Sequence, residues 1–308
     1  MSQGQNDLIA IKTELAEIKK DLSQNNYVCD DITATVLYMT EKMNKPLLIE
    51  GPAGVGKTEL ARSFCAMRGR ELIRLQCYEG LDETKAIYEW NYKKQLLYIQ
   101  AAGHNKHWEH LETDIFSEPY LLARPLLRAL ISPVPSVLLI DEIDKVDQEF
   151  EAMLLELLGE WQITIPELGT IRAQQPPTVF LTSNRSRELS EALKRRCLYL
   201  YLDYPPPERE KDIIINKVPG IEEELAQRVV AFVEAVRGLD LHKPPGISET
   251  VDWAAALRLA GLDSIDTRAV NLAGNTLLKY QTDVEQMIEK YHAGQLMKGA
   301  SPYGKKGW

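Results

Sequence analysis

The chain has no long hydrophobic run, no closely spaced cysteines and no excess of positive charge. None of its apolar stretches approaches the roughly 18 residues that a membrane-spanning helix needs, which disfavours an integral membrane protein. The four cysteines are scattered along the 308 residues, which disfavours a zinc or redox motif built from paired cysteines. The formal net charge is -9. A general nucleic-acid binder is therefore disfavoured too, because such proteins usually carry a basic footprint.

The start of the chain, residues 1–20, lacks the apolar core of a secretory signal. Scattered cysteines are typical of free thiols in a reducing compartment. We therefore expect a cytoplasmic protein with no membrane contact. The composition is 44% hydrophobic and 26% charged, as in ordinary soluble proteins.

Short apolar runs alternate with helical patterns along the first two thirds of the chain. The runs are 45–50, 71–76, 136–141, 178–183 and 197–202. This alternation predicts an α/β fold with a parallel sheet of five strands and helices on both faces. Residues 162–173 instead read as a small hairpin inserted before the fourth strand.

Breaks in the pattern predict four segments. They are a helical arm over 1–26, the α/β core over 27–205, a small all-α domain over 206–292 and a flexible tail over 293–308. The arm carries an apolar stripe of Leu8, Ile11, Leu15, Ile18 and Leu22. The stripe is shorter than the three or four heptads of a confident coiled coil, so it packs on its own domain or binds a partner.

The segment GPAGVGKT, residues 51–58, matches the phosphate-loop pattern G-x-x-x-x-G-K-[ST]. It follows a predicted strand and opens a helical pattern, which is the context that the motif requires. Lys57 is expected to reach the β- and γ-phosphates, and Thr58 to bind Mg²⁺. The predicted ATP-binding residues are Gly51, Pro52, Ala53, Gly54, Val55, Gly56, Lys57, Thr58 and Glu59.

The run SVLLIDEID, residues 136–144, places two acids at the end of a buried strand. We expect Asp141 to bind Mg²⁺ with Thr58, and Glu142 to activate the attacking water. The alternative is a pair of solvated carboxylates in a loop. Asp144 is interpreted as the N-cap of the next helix.

Two later residues complete the candidate site. Asn184 follows a strand predicted to lie between the first and third, where an amide could contact the γ-phosphate or orient the water. Further along, Lys194, Arg195 and Arg196 precede the last strand. These cations either stabilise the negative end of a helix dipole or include an arginine aimed at another subunit's phosphate.

This order of motifs resembles that of the MoxR-type AAA+ ATPases, and most of all their CoxD-like branch. The likeness covers about 27–280 and is carried by LLIEGPAGVGKTELA, EPYLLARPLLRAL, SVLLIDEIDKVDQEFEAMLLELLGEWQITIPELGTIRA and ELSEALKRRCLYLYLDYP. It implies a P-loop AAA+ core over 27–205, a helical lid over 206–292, and a homo-hexamer with ATP and Mg²⁺ between subunits. Arg196, preferred to Arg195, would be the arginine finger.

The resemblance also implies partners. Members typically act with a von Willebrand A-domain protein to mature metalloenzymes, and the CoxD-like branch is linked to metal insertion into a carbon monoxide dehydrogenase. One departure stands out: the sequence has Ser248 and Glu249 where the family's lid offers an arginine called sensor 2.

His104, His107 and His110 are spaced like one face of a helix. They form either a metal site or, as we prefer, a polar solvated insert.

The predicted function is ATP hydrolysis coupled to remodelling or maturation of a protein client. One alternative is a nucleic-acid-acting AAA+ motor, which the acidic charge disfavours. Others are a P-loop kinase and a nucleotide-gated scaffold with little turnover, which Glu142, Asn184 and Arg196 together disfavour.

Overall fold

The computed structural model describes residues 3–102 and 114–296. Within them the chain forms two compact units. The first unit comprises the residues up to 21, 30–50 and 58–201, and the second comprises 22–29, 51–57 and the residues from 202 onward. The segment boundaries expected at 26, 205 and 292 stay predictions.

Strands and helices alternate through the first part of the chain. The strands are β1 Leu47–Glu50, β2 Glu71–Gln76, β3 Tyr88–Trp90, β4 Leu121–Ala123, β5 Ser136–Asp141, β6 Gln162–Ile165, β7 Gly169–Arg172, β8 Thr178–Ser183 and β9 Leu198–Tyr201. The helices are α1 Gln3–Gln24, α2 Asp31–Met43, α3 Lys57–Arg68, α4 Glu83–Ala86, α5 Tyr92–Ala102, α6 Pro125–Ile131, α7 Gln148–Glu160 and α8 Glu191–Arg196.

The central sheet of the first unit has five parallel strands in the order β2-β5-β8-β1-β9. Each strand coincides with one of the five predicted runs. Every residue of β1 and β5 is buried, as expected of a parallel sheet covered on both faces. Since β8 lies between β1 and β5, the position predicted for the strand before Asn184 is confirmed.

The core of the first unit lies between this sheet and its helices. Leu138, Ile140 and Leu181 contribute from the strands, with Leu127 from α6 and Leu154 from α7, all buried. The predicted hairpin is confirmed as the antiparallel pair β6–β7. Its apolar side chains on β6 are buried in the same cluster, which anchors the hairpin to the unit.

The apolar stripe of α1 is divided along its length. Ile18 and Leu22 are buried, whereas Ile11 is exposed. An ion pair of 2.6 Å between Lys19 and Asp31 joins α1 to the start of α2. The C-terminal half of the stripe therefore packs within the chain, which agrees with the first of the two alternatives above.

The second unit contains five helices among its described residues, which confirms the helical pattern predicted there. They are α9 Pro207–Lys217, α10 Glu223–Arg237, α11 Ile247–Leu259, α12 Thr267–Thr276 and α13 Gln281–His292. Trp253 is fully buried, and its ring centroid lies 5.0 Å from that of Phe232. The Trp253 indole N–H donates to the Ala269 carbonyl at 3.1 Å, so the largest core side chain has its polar atom satisfied.

Candidate functional site

The phosphate loop over 51–57 has the backbone that its glycines permit. Gly51 has φ 154°, and a Cβ there would lie 1.9 Å from the Leu202 carbonyl oxygen, so no other residue fits. The Lys57 ammonium donates to the carbonyl oxygens of Gly51 and Pro52, both at 2.7 Å. These bonds hold the positive charge of Lys57 within the curl of the loop.

The start of α11 contacts this loop inside the second unit. The Ile247 N–H donates to the Gly54 carbonyl at 3.0 Å. A Cβ added at Gly246 would lie 3.0 Å from the Gly54 Cα, so the two backbones touch. Glu249 accepts from the Gly246 N–H at 3.1 Å and so caps its own helix. At this position, where the resemblance implies an arginine, the chain has a carboxylate.

The acid at the end of β5 is the centre of a hydrogen-bond network in the first unit. Asp141 is buried, and its Oδ1 accepts from the Thr58 hydroxyl at 2.9 Å and the Thr182 hydroxyl at 2.5 Å. Carboxylate and hydroxyl oxygens are hard ligands of the kind that Mg²⁺ prefers. Thr58 and Asp141, predicted as a pair, thus lie together and fit that ion.

Glu142 has a strained backbone. Its φ is 59° and its ψ is 49°, a left-handed conformation that is uncommon outside glycine and concentrated at functional sites. Its N–H donates to the Thr182 hydroxyl oxygen at 2.9 Å. The Glu142 side chain is half-buried. Among the described residues its carboxylate has no hydrogen-bond or ion-pair partner, which leaves it available to accept a proton.

Asp144 does not cap α7, so that expectation is wrong. The cap is Asp147, which accepts from the Phe150 N–H at 2.9 Å. Asp144 is buried and instead holds the loop after β8. It accepts from the backbone N–H groups of Asn184 and Ser186, at 3.2 and 2.9 Å, and from the Ser186 hydroxyl at 2.6 Å.

Two opposing effects act on the pKa of Asp144. Burial raises it, but the hydrogen bonds from Ser186 and from the Asn184 backbone outweigh burial and lower the pKa below its ordinary value. The carboxylate form is therefore favoured. Through it, the turn after β5 fixes the backbone that carries Asn184.

The cationic cluster occupies the last turn of α8, where it also meets the negative end of the helix dipole. Lys194 pairs with Glu191 at 3.3 Å. Arg195 and Arg196 are exposed, and neither has a carboxylate within ion-pair distance in the part of the chain that the structure describes. The Arg196 guanidinium lies along α7, with Nε 3.2 Å from where a Cβ of Gly159 would stand.

Sequence reasoning missed two residues of the network. Thr182 bridges Asp141 and Glu142, and the Arg74 guanidinium donates to Asp141 Oδ2 at 2.5 and 3.1 Å. The only signals were a hydroxyl inside an apolar strand and an arginine in ELIRLQ.

His104, His107 and His110 lie outside the described residues. Within 3–102 and 114–296, no group of three His, Cys, Asp or Glu residues could hold a metal ion. No helix in those ranges has the length and hydrophobicity to cross a bilayer.

The family model of the AAA domain (dynein-related subfamily) matches residues 46–197. That range holds the phosphate-loop motif, both acids, Asn184 and α8. The chain has the α/β fold of P-loop AAA+ proteins and is an ATP hydrolase. Like other such enzymes it binds nucleotide and hydrolyses ATP.

Curated relatives of this ATPase include two proteins with names from denitrification. The denitrification regulatory protein NirQ of Pseudomonas aeruginosa is 24% identical over 72% of this chain and 78% of its own. Protein NorQ of Paracoccus denitrificans is 24% identical over 71% of this chain and 75% of its own. Together with the AAA match, these relatives support a MoxR-type ATPase. The CoxD-like branch stays a prediction.

Among solved structures, the RuvB Holliday junction branch migration motor of Thermotoga maritima aligns with a TM-score of 0.45 at 18% identity. The alignment covers 89% of this chain and 76% of that one.

Proposed function

We propose that this ATPase works as a homo-hexameric ring that couples ATP hydrolysis to the remodelling or maturation of a protein client. The observation that carries the proposal is the contrast between Asp141, the last residue of β5, and Glu142, which follows it. Asp141 is bound to Thr58 and Thr182, whereas the carboxylate of Glu142 has no partner among the described residues. One acid is thus committed to the metal position and the next is free to act as a base.

Each residue of the candidate site has a role in this proposal. The N–H groups of the phosphate loop and the ammonium of Lys57 bind the phosphates of ATP. Thr58 and Asp141 hold Mg²⁺, which when bound neutralises negative charge on the phosphates. Glu142 takes a proton from the attacking water, and Asn184 orients that water against the γ-phosphate.

Arg196 acts in the site of a neighbouring subunit. Its support is that the guanidinium is exposed at the end of α8 and has no ion-pair partner among the described residues. An arginine finger stabilises charge that develops on the transferring phosphate and contributes about 10³–10⁵-fold in rate. Arg196 therefore contributes nothing to the site of its own chain.

Mixed rings test this role. Lys57→Ala removes the site and keeps the finger, while Arg196→Ala removes the finger and keeps the site. Each variant alone should hydrolyse ATP poorly, and their mixture should regain activity wherever an intact site faces an intact finger. Arg195→Ala is the matched control and should stay active. Mixtures that are shown to form rings but never exceed the sum of their parts would contradict the proposal.

The MoxR resemblance supports a more specific client. We propose that the ATPase acts in the cytoplasm, with a von Willebrand A-domain partner, to insert metal into a metalloenzyme. In this proposal residues 27–205 form the ATPase core and 206–292 the lid. All four cysteines are free thiols, which suits a reducing compartment. Stimulation of ATP turnover by the purified partner and client together, and by neither alone, is the expected result.

A further inference from the structure

Arg74 lies on β2, the edge strand of the central sheet. In the pairing of β2 with β5, Gln76 stands opposite Asp141 and Arg74 opposite Leu139. Because side chains alternate along a strand, Arg74 and Gln76 share one face of β2, and both are exposed. The Gln76 side-chain oxygen accepts from the Arg74 guanidinium, so it holds the arginine beside the acid.

The two carboxylate oxygens of Asp141 have different partners. Oδ1 accepts from the hydroxyls of Thr58 and Thr182. Oδ2 accepts twice from Arg74, at 2.5 Å from Nη2 and 3.1 Å from Nε. The Asp141 side chain is 4% exposed and that of Arg74 40%. A buried carboxylate is costly unless it is paired, so the arginine supplies the charge that a metal would otherwise supply.

We propose that Arg74 is an internal counter-ion that competes with Mg²⁺ for Asp141. The inference rests on the proposed role of Asp141 as a metal ligand. Arg74 neutralises the carboxylate in the metal-free protein and weakens the binding of Mg²⁺ through its like charge. It is thus a residue that sets the metal affinity of the site without touching the nucleotide.

The geometry favours competition between Arg74 and Mg²⁺ over a role in which Arg74 only orients the Asp141 carboxylate. The direction of the carboxylate is already fixed at Oδ1 by two hydroxyls that belong to α3 and β8. Arg74 adds charge rather than a further constraint, and its partly exposed position on an edge strand lets the guanidinium turn to solvent when a metal arrives. A lysine in its place would keep the charge but lose the planar fork that makes both bonds.

The test is a Mg²⁺ titration of nucleotide binding. The probe is a fluorescent ADP analogue, and the measured quantity is the free Mg²⁺ concentration at half of the metal-dependent gain in affinity. For Arg74→Met we expect this concentration to fall about tenfold, because a competing positive charge is removed. Arg74→Lys should shift it in the same direction by less.

Arg128→Met is the matched control. Arg128 makes an exposed pair of 2.9 Å with Glu71 on the same strand, β2. Its loss should leave the titration unchanged. In the absence of metal, Arg74→Met should also melt at a lower temperature than the parent protein, and Mg²⁺ with nucleotide should restore more of its stability.

Two results would overturn the inference. An unchanged Mg²⁺ titration for Arg74→Met would make the pair merely structural, and a shift to higher Mg²⁺ would make Arg74 a residue that orients the metal ligand. Asp141→Asn separates this from the wider proposal. If Asp141→Asn leaves the Mg²⁺ dependence intact, the proposed metal site itself is wrong. If Asp141→Asn abolishes it while Arg74→Met changes nothing, only the competition is wrong.

Discussion

The end of β5 and the end of α8 both present charged side chains, but in opposite states. Asp141 is buried and both of its carboxylate oxygens are hydrogen-bonded within the chain. Arg195 and Arg196 are exposed, and no carboxylate of the described residues pairs with them. The charge of Asp141 is thus neutralised within its own chain. A charge left unpaired at the surface is available to another molecule.

The ends of β5 and α8 also differ in how much their charges contribute to stability. Removing one partner of a buried ion pair leaves the other charge unpaired in a poorly solvated environment. This costs several kcal/mol of stability. An exposed cation at a helix end contributes only about 0.3–1 kcal/mol to its own fold. Substitutions at the β5 end should therefore disturb stability and chemistry together. Substitutions at the α8 end should leave the fold almost unchanged.

The largest effect on chemistry is expected at Glu142, the half-buried acid that follows Asp141. Glu142→Gln should keep ATP binding and reduce hydrolysis by about 10²–10⁴-fold, because a general base contributes that much. Lys57→Ala should instead lose binding. Phosphate release and nucleotide affinity, measured on the same preparations, separate the two effects.

Glu149→Gln, an exposed acid in the first turn of α7, is the charge-matched control and should be active. Normal hydrolysis by Glu142→Gln would show that the free carboxylate is not the base.

Asp144 gives an intermediate effect that depends on pH. Because its pKa is lowered in the folded protein, it stabilises the fold above its unfolded-state pKa. That stability is lost as the pH falls through the lowered value. Asp144→Asn should cost about 1–3 kcal/mol near neutral pH, since the N–H groups of Asn184 and Ser186 lose a charged acceptor.

Denaturant unfolding at several pH values measures this effect of Asp144. The difference in free energy of unfolding between the parent protein and Asp144→Asn should become smaller as the pH falls. If this difference stays constant across the acid range, the role given to the Asp144 carboxylate is wrong.

The smallest effect is expected at α8. Arg196→Ala should change the free energy of unfolding by no more than about 1 kcal/mol, and Arg195→Ala should behave alike. Chemical denaturation of the two variants measures this directly. A loss of several kcal/mol in either would mean that the cation is structural, and the contrast between the two ends of the site would then disappear.

The strands and the site motifs were predictable because their signals are local. The apolar runs located all five strands of the central sheet, and the spacing of glycines, Lys57 and Thr58 located the phosphate loop. Asp141 and Glu142 were predictable because an apolar run ends in two carboxylates. Each of these patterns lies within ten residues of sequence.

Arg74, Thr182 and Asp144 needed long-range information. Arg74 meets Asp141 only through the register of β2 on β5, and Thr182 only through β8 beside β5. Asp144 and Asp147 lie three residues apart, and both fit an N-cap pattern. What distinguishes them is the loop at Asn184, which is 40 residues away in sequence and adjacent in space.

The backbones of Gly54 and Gly246 touch, so the N-terminal end of α11 lies directly on the phosphate loop. The helix has 13 residues, so at 1.5 Å per residue it is about 20 Å long. A tilt of about 10° at the loop displaces its far end by about 3 Å, comparable to the width of a water molecule. Because neither glycine carries a side chain of its own, the backbone of the loop lies directly against the backbone at the start of α11. A small shift of the loop would therefore be passed to α11 by direct backbone contact, and the far end of the helix would move further than its start.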